Sequence, residues 1–200
     1  MKIEDYLKKF NQEKINLVGP MPFSLPVNKL KEPVIYIDGG ARFQIDKTGF
    51  SCGDQDSFKG KSLNQKLDPN KDFSDLAFVL KYCKDFSQLH LFGFLGGRKD
   101  HELFNLGEVY HFLKNKEKST VSFENKIKLF SAGEWDIELD GLFSLVVFEK
   151  TFIELTGQCQ YLIEGKEVHP LSSFGLSNQA YGQIRISTDR PFTLFINIKE

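Results

Sequence analysis

Three acidic clusters stand out by residue type and spacing: Asp38-Gly39-Gly40, Gly53-Asp54-Gln55-Asp56-Ser57 and Lys71-Asp72-Phe73-Ser74-Asp75. Asp54 and Asp56 are separated by one residue, so in an extended segment their carboxylates point to the same side. Two carboxylates on one side suit a hard divalent ion. Mg²⁺ takes one or two of them, keeps several waters and binds substrate phosphates. Asp75, in the first turn of an expected helix, is available as a third oxygen ligand. Each piece also has a plain reading. A D-x-D pair alone is commonly a solvated acidic turn, and Asp72 and Asp75 suit a helix start through capping and the helix dipole.

The segment Gly93-Phe94-Leu95-Gly96-Gly97-Arg98-Lys99-Asp100-His101 follows an expected strand and opens an expected helix. Its glycines let backbone approach a phosphate, and a helix N-terminus favours anions. Arg98 adds a planar fork of donors matched to phosphate oxygens. The segment matches neither a P-loop, which ends in Gly-Lys-Ser/Thr, nor the ordered G-x-G-x-x-G pattern. Together the clusters point to magnesium-assisted chemistry on a phosphorylated substrate.

Such residues need a scaffold that gathers them. Apolar spacing predicts a short helix over 3–13, strands at 15–18, 34–37 and 89–94, and helices over 73–85, with Asp72 as N-cap, and 100–113. Alternating strands and helices imply a mainly parallel sheet, whose ligands bind at the carboxyl ends of its strands. The segment 19–33 carries Pro20, Pro22, Pro26 and Pro33 and reads as irregular. From Val121 onward short strands succeed one another, with polar turns expected at Glu124-Asn125, Asp140-Gly141 and Glu164-Gly165. The expected fold is an α/β domain over 1–118, followed by an all-β, jelly-roll-like sandwich over 119–200.

Composition narrows the function classes. A net charge of −1 removes any global pull toward nucleic acid or membrane, so an anionic ligand must be held locally. Cys52, Cys83 and Cys159 have no C-x-x-C spacing, and the histidines form no H-E-x-x-H pattern, which argues against zinc and against a disulfide framework. Cys52 reads as a small buried apolar residue and Trp135 as a sheet residue. With a polar start at Met1–Asp5 and no long apolar run, a cytoplasmic protein is expected.

The four elements, in this order, resemble the thiamine pyrophosphokinase family. That family carries D-G-G, G-D-x-D-S, K/Q-D-x-T-D, and G-G-R-x-D-H with an Asn four residues after the His. Here these are Asp38–Gly40, Gly53–Ser57, Lys71–Asp75, and Gly96–His101 with Asn105. Further similar segments are Gly141–Leu145, Thr156-Gly157, Ser177-Asn178 and Thr188–Pro191. The resemblance implies an α/β nucleotide-binding domain, a β-sandwich, and a homodimer with active sites between subunits. It implies pyrophosphate transfer from ATP to thiamine, giving thiamine diphosphate and AMP. It places Mg²⁺ on Asp54, Asp56 and Asp75. It places ATP and pyrophosphate on Asp38, Gly39, Lys71, Asp72, Ser74, Arg98 and Asp100, and thiamine near Tyr161, Ser177 and Asn178.

Three departures bear on these expectations. Ser74 replaces the family's usual Thr but keeps the hydroxyl. The interval between Gly40 and Gly53 is short, so a helix there is expected to be trimmed. Where the family has an aromatic that stacks on the substrate, this chain has Gln160, followed by Tyr161. Either a bulge returns Tyr161 to that place or the acceptor pocket differs. A different acceptor alcohol, such as a hydroxymethylpterin, and a non-catalytic binding homologue are the competing readings. Asp56 and Asp100 are both open as the general base.

Overall fold

The computed structural model describes residues 1–45, 48–55, 60 and 62–197. Asp56 and Ser57 lie outside the described residues. The chain divides into two units, Met1–Glu108 and Val109–Glu200. No described helix is long and apolar enough to cross a membrane.

The first unit is built on β1 (Lys14–Val18), β2 (Val34–Ile37), β3 (Phe50–Gly53), β4 (Gln65–Lys66) and β5 (Gln88–Phe92). All are parallel, in the order β5-β1-β2-β3-β4. All four residues of β2 are buried, as befits a central parallel strand of Val-Ile-Tyr-Ile. Ile15 and Leu17 on β1 and Leu89 and Leu91 on β5 are almost fully buried, and they alternate with half-exposed neighbours such as Asn16 and His90. The helices are α1 (Ile3–Leu7), α2 (Asp75–Leu80) and α3 (Lys99–Leu113).

Both predicted helices at 3–13 and 73–85 are shorter than their apolar spacing suggests. In the second the cap is Ser74, not Asp72: the Ser74 hydroxyl accepts the Ala77 N–H at 3.0 Å, and Asp72 is exposed. The chain from Asp72 to Ser74 is therefore approach loop, and this swings Asp75 to the first helical position. The short interval after Gly40 holds a 3₁₀ helix, Asp38–Phe43, in place of a full helix.

The second unit holds β6 (Thr120–Phe123), β7 (Ile127–Phe130), β8 (Gly133–Val146), β9 (Thr151–Cys159), β10 (Ile163–Val168), β11 (Asn178–Thr188) and β12 (Phe192–Asn197). They pair antiparallel in one order, β10-β9-β11-β8-β12-β7-β6. β8 is shared by two ladders: Gly133–Phe143 pair with β11 and Leu142–Val146 with β12. Side chains of both ladders, among them Phe130, Phe143, Leu155, Ile184 and Phe192, form one core, with Phe130 and Phe192 stacked at 4.8 Å. The predicted turn at Asp140-Gly141 is instead strand, because β11 continues to pair with β8 across it. Glu164-Gly165 likewise lies inside β10, where the register shifts against β9. Trp135 lies in β8, edge-on to Phe130 and donating its indole N–H to Ser131 O at 2.9 Å.

Candidate active site

The carboxyl ends of β2, β3 and β5 open into one cavity of about 400 Å³ within the first unit. Three backbone features bring the acidic residues to it. β2 stops at Asp38, which adopts a left-handed φ of 47°, a conformation Asp tolerates better than most residues. β3 ends on Gly53, which passes against that residue: a Cβ on Gly53 would stand 2.7 Å from Asp38 Cα. Asp54 follows at once. α2, started by Ser74, presents Asp75 from the third side.

One carboxylate oxygen each of Asp38, Asp54 and Asp75 lies within 4.8 Å of the others. Asp38 Oδ1 is buried without a hydrogen bond among the described residues. Asp75 Oδ1 is also buried without one, and the Lys71 ammonium stands 3.0 Å from it as an ion pair. Lys71 Nζ donates to Asp54 Oδ2 at 2.7 Å. Burial raises the Asp75 carboxyl above its ordinary range, opposed by Lys71. Burial pulls the Lys71 ammonium down, but its bonds to Asp54 and Asp75 outweigh that and leave it raised. Converging hard oxygens with unused lone pairs fit a divalent ion of the magnesium class. The buried Asp38 Oδ1 is costly without a cation to meet it. Asp38 belongs to this set, a role that spacing within D-x-D does not reveal.

The segment Gly93–Asn105 also lines the cavity, contributing Gly93, Phe94, Gly97, Arg98, His101, Glu102 and Asn105. Arg98 is 71% exposed and pairs with Asp100, its Nε donating to Asp100 Oδ1 at 3.1 Å. The guanidinium is therefore largely exposed and held by Asp100. Arg98, with the His101 amide, holds the Asp100 carboxyl down at about 2. Glu102 accepts the Gly96 N–H and pairs with Lys99 at 2.9 Å, which fixes the glycine turn. Asn105 Nδ2 reaches Phe94 O at 3.5 Å. Glu102 is not singled out by the sequence reading; its spacing of six from Gly96, one turn into α3, is the signal that locates it.

Of the residues expected to meet ATP and metal, Asp38, Asp54, Lys71, Ser74, Asp75 and Arg98 line this cavity. Gly39, Asp72 and Asp100 do not line it; Gly39 O accepts the Arg42 Nε–H at 2.8 Å. Ser74 also caps α2, so Ser74→Ala is expected to cost about 1 kcal/mol and lower the melting temperature by about 2–4 °C. A thermal melt checks this; an unchanged midpoint would show that the cap carries no stability. Cys52 is fully buried beneath the site, and burial raises its thiol far above the ordinary range, so it behaves as an apolar residue.

Tyr161, Ser177 and Asn178 come together in the second unit. The Asn178 side chain accepts the Tyr161 N–H at 3.0 Å and donates to Tyr161 O at 2.7 Å. The Ser177 N–H donates to Ser144 Oγ at 3.0 Å, with φ of 58° at Ser177. Tyr161 is 58% exposed, and Gln160 Nε2 donates to its hydroxyl at 3.0 Å. The β9–β11 register is irregular just before it, between Ala180 and Ile184.

No family model matches the chain. A thiamine pyrophosphokinase of Bacillus subtilis (strain 168) is 35% identical over 92 residues, a match that spans 43% of this chain and 43% of that protein. Among solved structures, a Bacillus subtilis thiamine pyrophosphokinase superposes with a TM-score of 0.74 at 22% identity, covering 93% of this chain and 100% of that one. Thiamin pyrophosphokinase from Candida albicans gives a TM-score of 0.74 at 13% identity, covering 98% of this chain and 91% of that one. The local sequence match spans less than half of either chain, and the superpositions show that this chain shares the fold of solved thiamine pyrophosphokinases.

Proposed function

We propose that this protein is a thiamine pyrophosphokinase, which transfers pyrophosphate from ATP to the thiamine hydroxyl and releases AMP. The observation that carries the proposal is the convergence of Asp38, Asp54 and Asp75 in a cavity that Arg98 also lines. Asp54 and Asp75, joined by Asp38, would hold Mg²⁺, with Asp56 as the further ligand that the D-x-D spacing suggests. When bound, Mg²⁺ supplies Lewis-acid screening of phosphate charge.

The remaining work falls to the chain's own groups. Arg98 turns from Asp100 to the transferred phosphates, where its fork neutralises the charge that spreads over phosphoryl oxygens. Glu102 and Asn105 hold the glycine turn in place for that contact. The acceptor hydroxyl must sit in line with the leaving AMP, so positioning dominates the rate. Asp100 is a poor proton acceptor while it is paired to Arg98 and held near pH 2. Once Arg98 turns to the phosphates that restraint on Asp100 is lifted, so Asp100 and Asp56 both stand as candidate bases. Thiamine is taken near Tyr161, Ser177 and Asn178. The exposed apolar residues of the second unit, including Leu162, Leu176 and Tyr181, suit a homodimer contact. A reducing cytoplasm fits the three free cysteines.

The test is AMP release with ATP, Mg²⁺ and thiamine, followed by detection of thiamine diphosphate. Omitting Mg²⁺ is expected to abolish turnover. A second reading, in which another alcohol is the acceptor, is favoured by Gln160 beside Tyr161. Release with a hydroxymethylpterin and none with thiamine would move the proposal to that reading. Ligand binding with no AMP from any alcohol would make the protein a binding homologue.

A further inference from the structure

Asp38, Asp54 and Asp75 do not face one another as bare anions. Lys71, with a side chain only 8% exposed, places its ammonium 2.7 Å from Asp54 Oδ2 and 3.0 Å from Asp75 Oδ1. Lysine is rarely this buried unless it is paired, and here both partners belong to the candidate metal cluster. The positions are local in origin: Lys71 and Asp75 are four residues apart across the start of α2, and Asp54 arrives from the end of β3.

A magnesium-class ion would need those same oxygens at about 2.0–2.1 Å. An ammonium already in contact with both of them would then lie within a few ångström of the ion. Two cations that close in a part-buried site repel strongly. We propose that Lys71 is a built-in stand-in for the divalent cation: its ammonium holds the carboxylate cluster together in the metal-free chain and leaves Asp54 and Asp75 when the metal enters. Once released, the ammonium is available to phosphate oxygens in the same cavity, since Lys71 lines it. The inference rests on the pyrophosphokinase reading only in taking the cluster as a divalent-ion site.

Mutual exclusion makes a reciprocal demand: removing one occupant must improve binding of the other. The test uses the full chain without nucleotide and Mn²⁺ as probe, with free Mn²⁺ read by its paramagnetic resonance signal. Lys71→Met is expected to bind Mn²⁺ about tenfold tighter than wild type. Its metal-free melting temperature is expected to fall by roughly 5 °C, and saturating Mn²⁺ should restore it. Lys71→Arg keeps the charge and is expected to bind like wild type. Should Lys71→Met not fold without metal, Lys71→Gln carries the same comparison. Mn²⁺ affinity in the neutral variants equal to or weaker than wild type overturns the inference and leaves the metal site standing. No Mn²⁺ binding in wild type or any variant overturns the metal reading and the inference with it.

Discussion

Asp54→Asn is expected to lower AMP release at least about a hundredfold while leaving the fold intact, the scale seen when one transition-state contact is lost. The substitution keeps shape and removes charge. Asp54 Oδ2 is the nearer of the two anchors for Lys71, and Asp54 is one of only three described carboxylates that converge there. An amide oxygen is a weaker ligand for a hard divalent ion and adds no negative charge to balance it. The fold should survive because Lys71 keeps its ion pair with Asp75, and because Asp54 begins only after β3 has ended. Parallel measurement of turnover and of the thermal midpoint separates the two effects. Near-normal turnover would remove Asp54 from the metal site. A collapse of the midpoint would recast the residue as structural.

The second large effect concerns stability. Gly40 closes the Asp38-Gly39-Gly40 motif, yet its requirement is steric. A Cβ there would stand 2.1 Å from Val18 O and 2.9 Å from Val18 C, both backbone atoms at the end of β1. Backbone cannot step aside as a side-chain tip can, so either β1 or the 3₁₀ turn must shift. Gly40→Ala is therefore expected to lose about 3 kcal/mol, at the upper end for overpacking. For a chain of this size that lowers the melting temperature by about 6–12 °C. A midpoint within about 2 °C of wild type would show that the 3₁₀ turn yields at little cost. The same change should weaken metal binding, since Asp38 opens that turn.

These two sites show what residue patterns could and could not disclose. β2 was legible because four consecutive apolar residues end abruptly at Asp38, and α3 because its apolar positions recur at helical spacing after a glycine turn. The start of α2 was not, since Asp72 and Ser74 are both good caps and only the hydrogen bond to Ala77 decides between them. Asp140-Gly141 looks like a turn by composition, but pairing with β11 holds it extended, a tertiary effect no local pattern carries. The convergence of Asp54 and Asp75 follows from the rule that parallel strands present their carboxyl ends together. The inclusion of Asp38 does not, because it depends on a left-handed backbone and on Gly53 passing close by. The resemblance implies Lys71 as a phosphate contact; its place between two carboxylates is visible only in three dimensions.

The close passage of Gly53 over Asp38 reaches beyond geometry. Residues 38, 54 and 75 leave three different segments and meet only when β2 and β3 lie side by side and α2 has docked. An isolated stretch of the chain cannot hold the ion, so captured cation favours the assembled sheet over every partly ordered state. On the proposed magnesium reading, ion supply would add to how much of this protein survives in a cell, quite apart from how fast each molecule turns over.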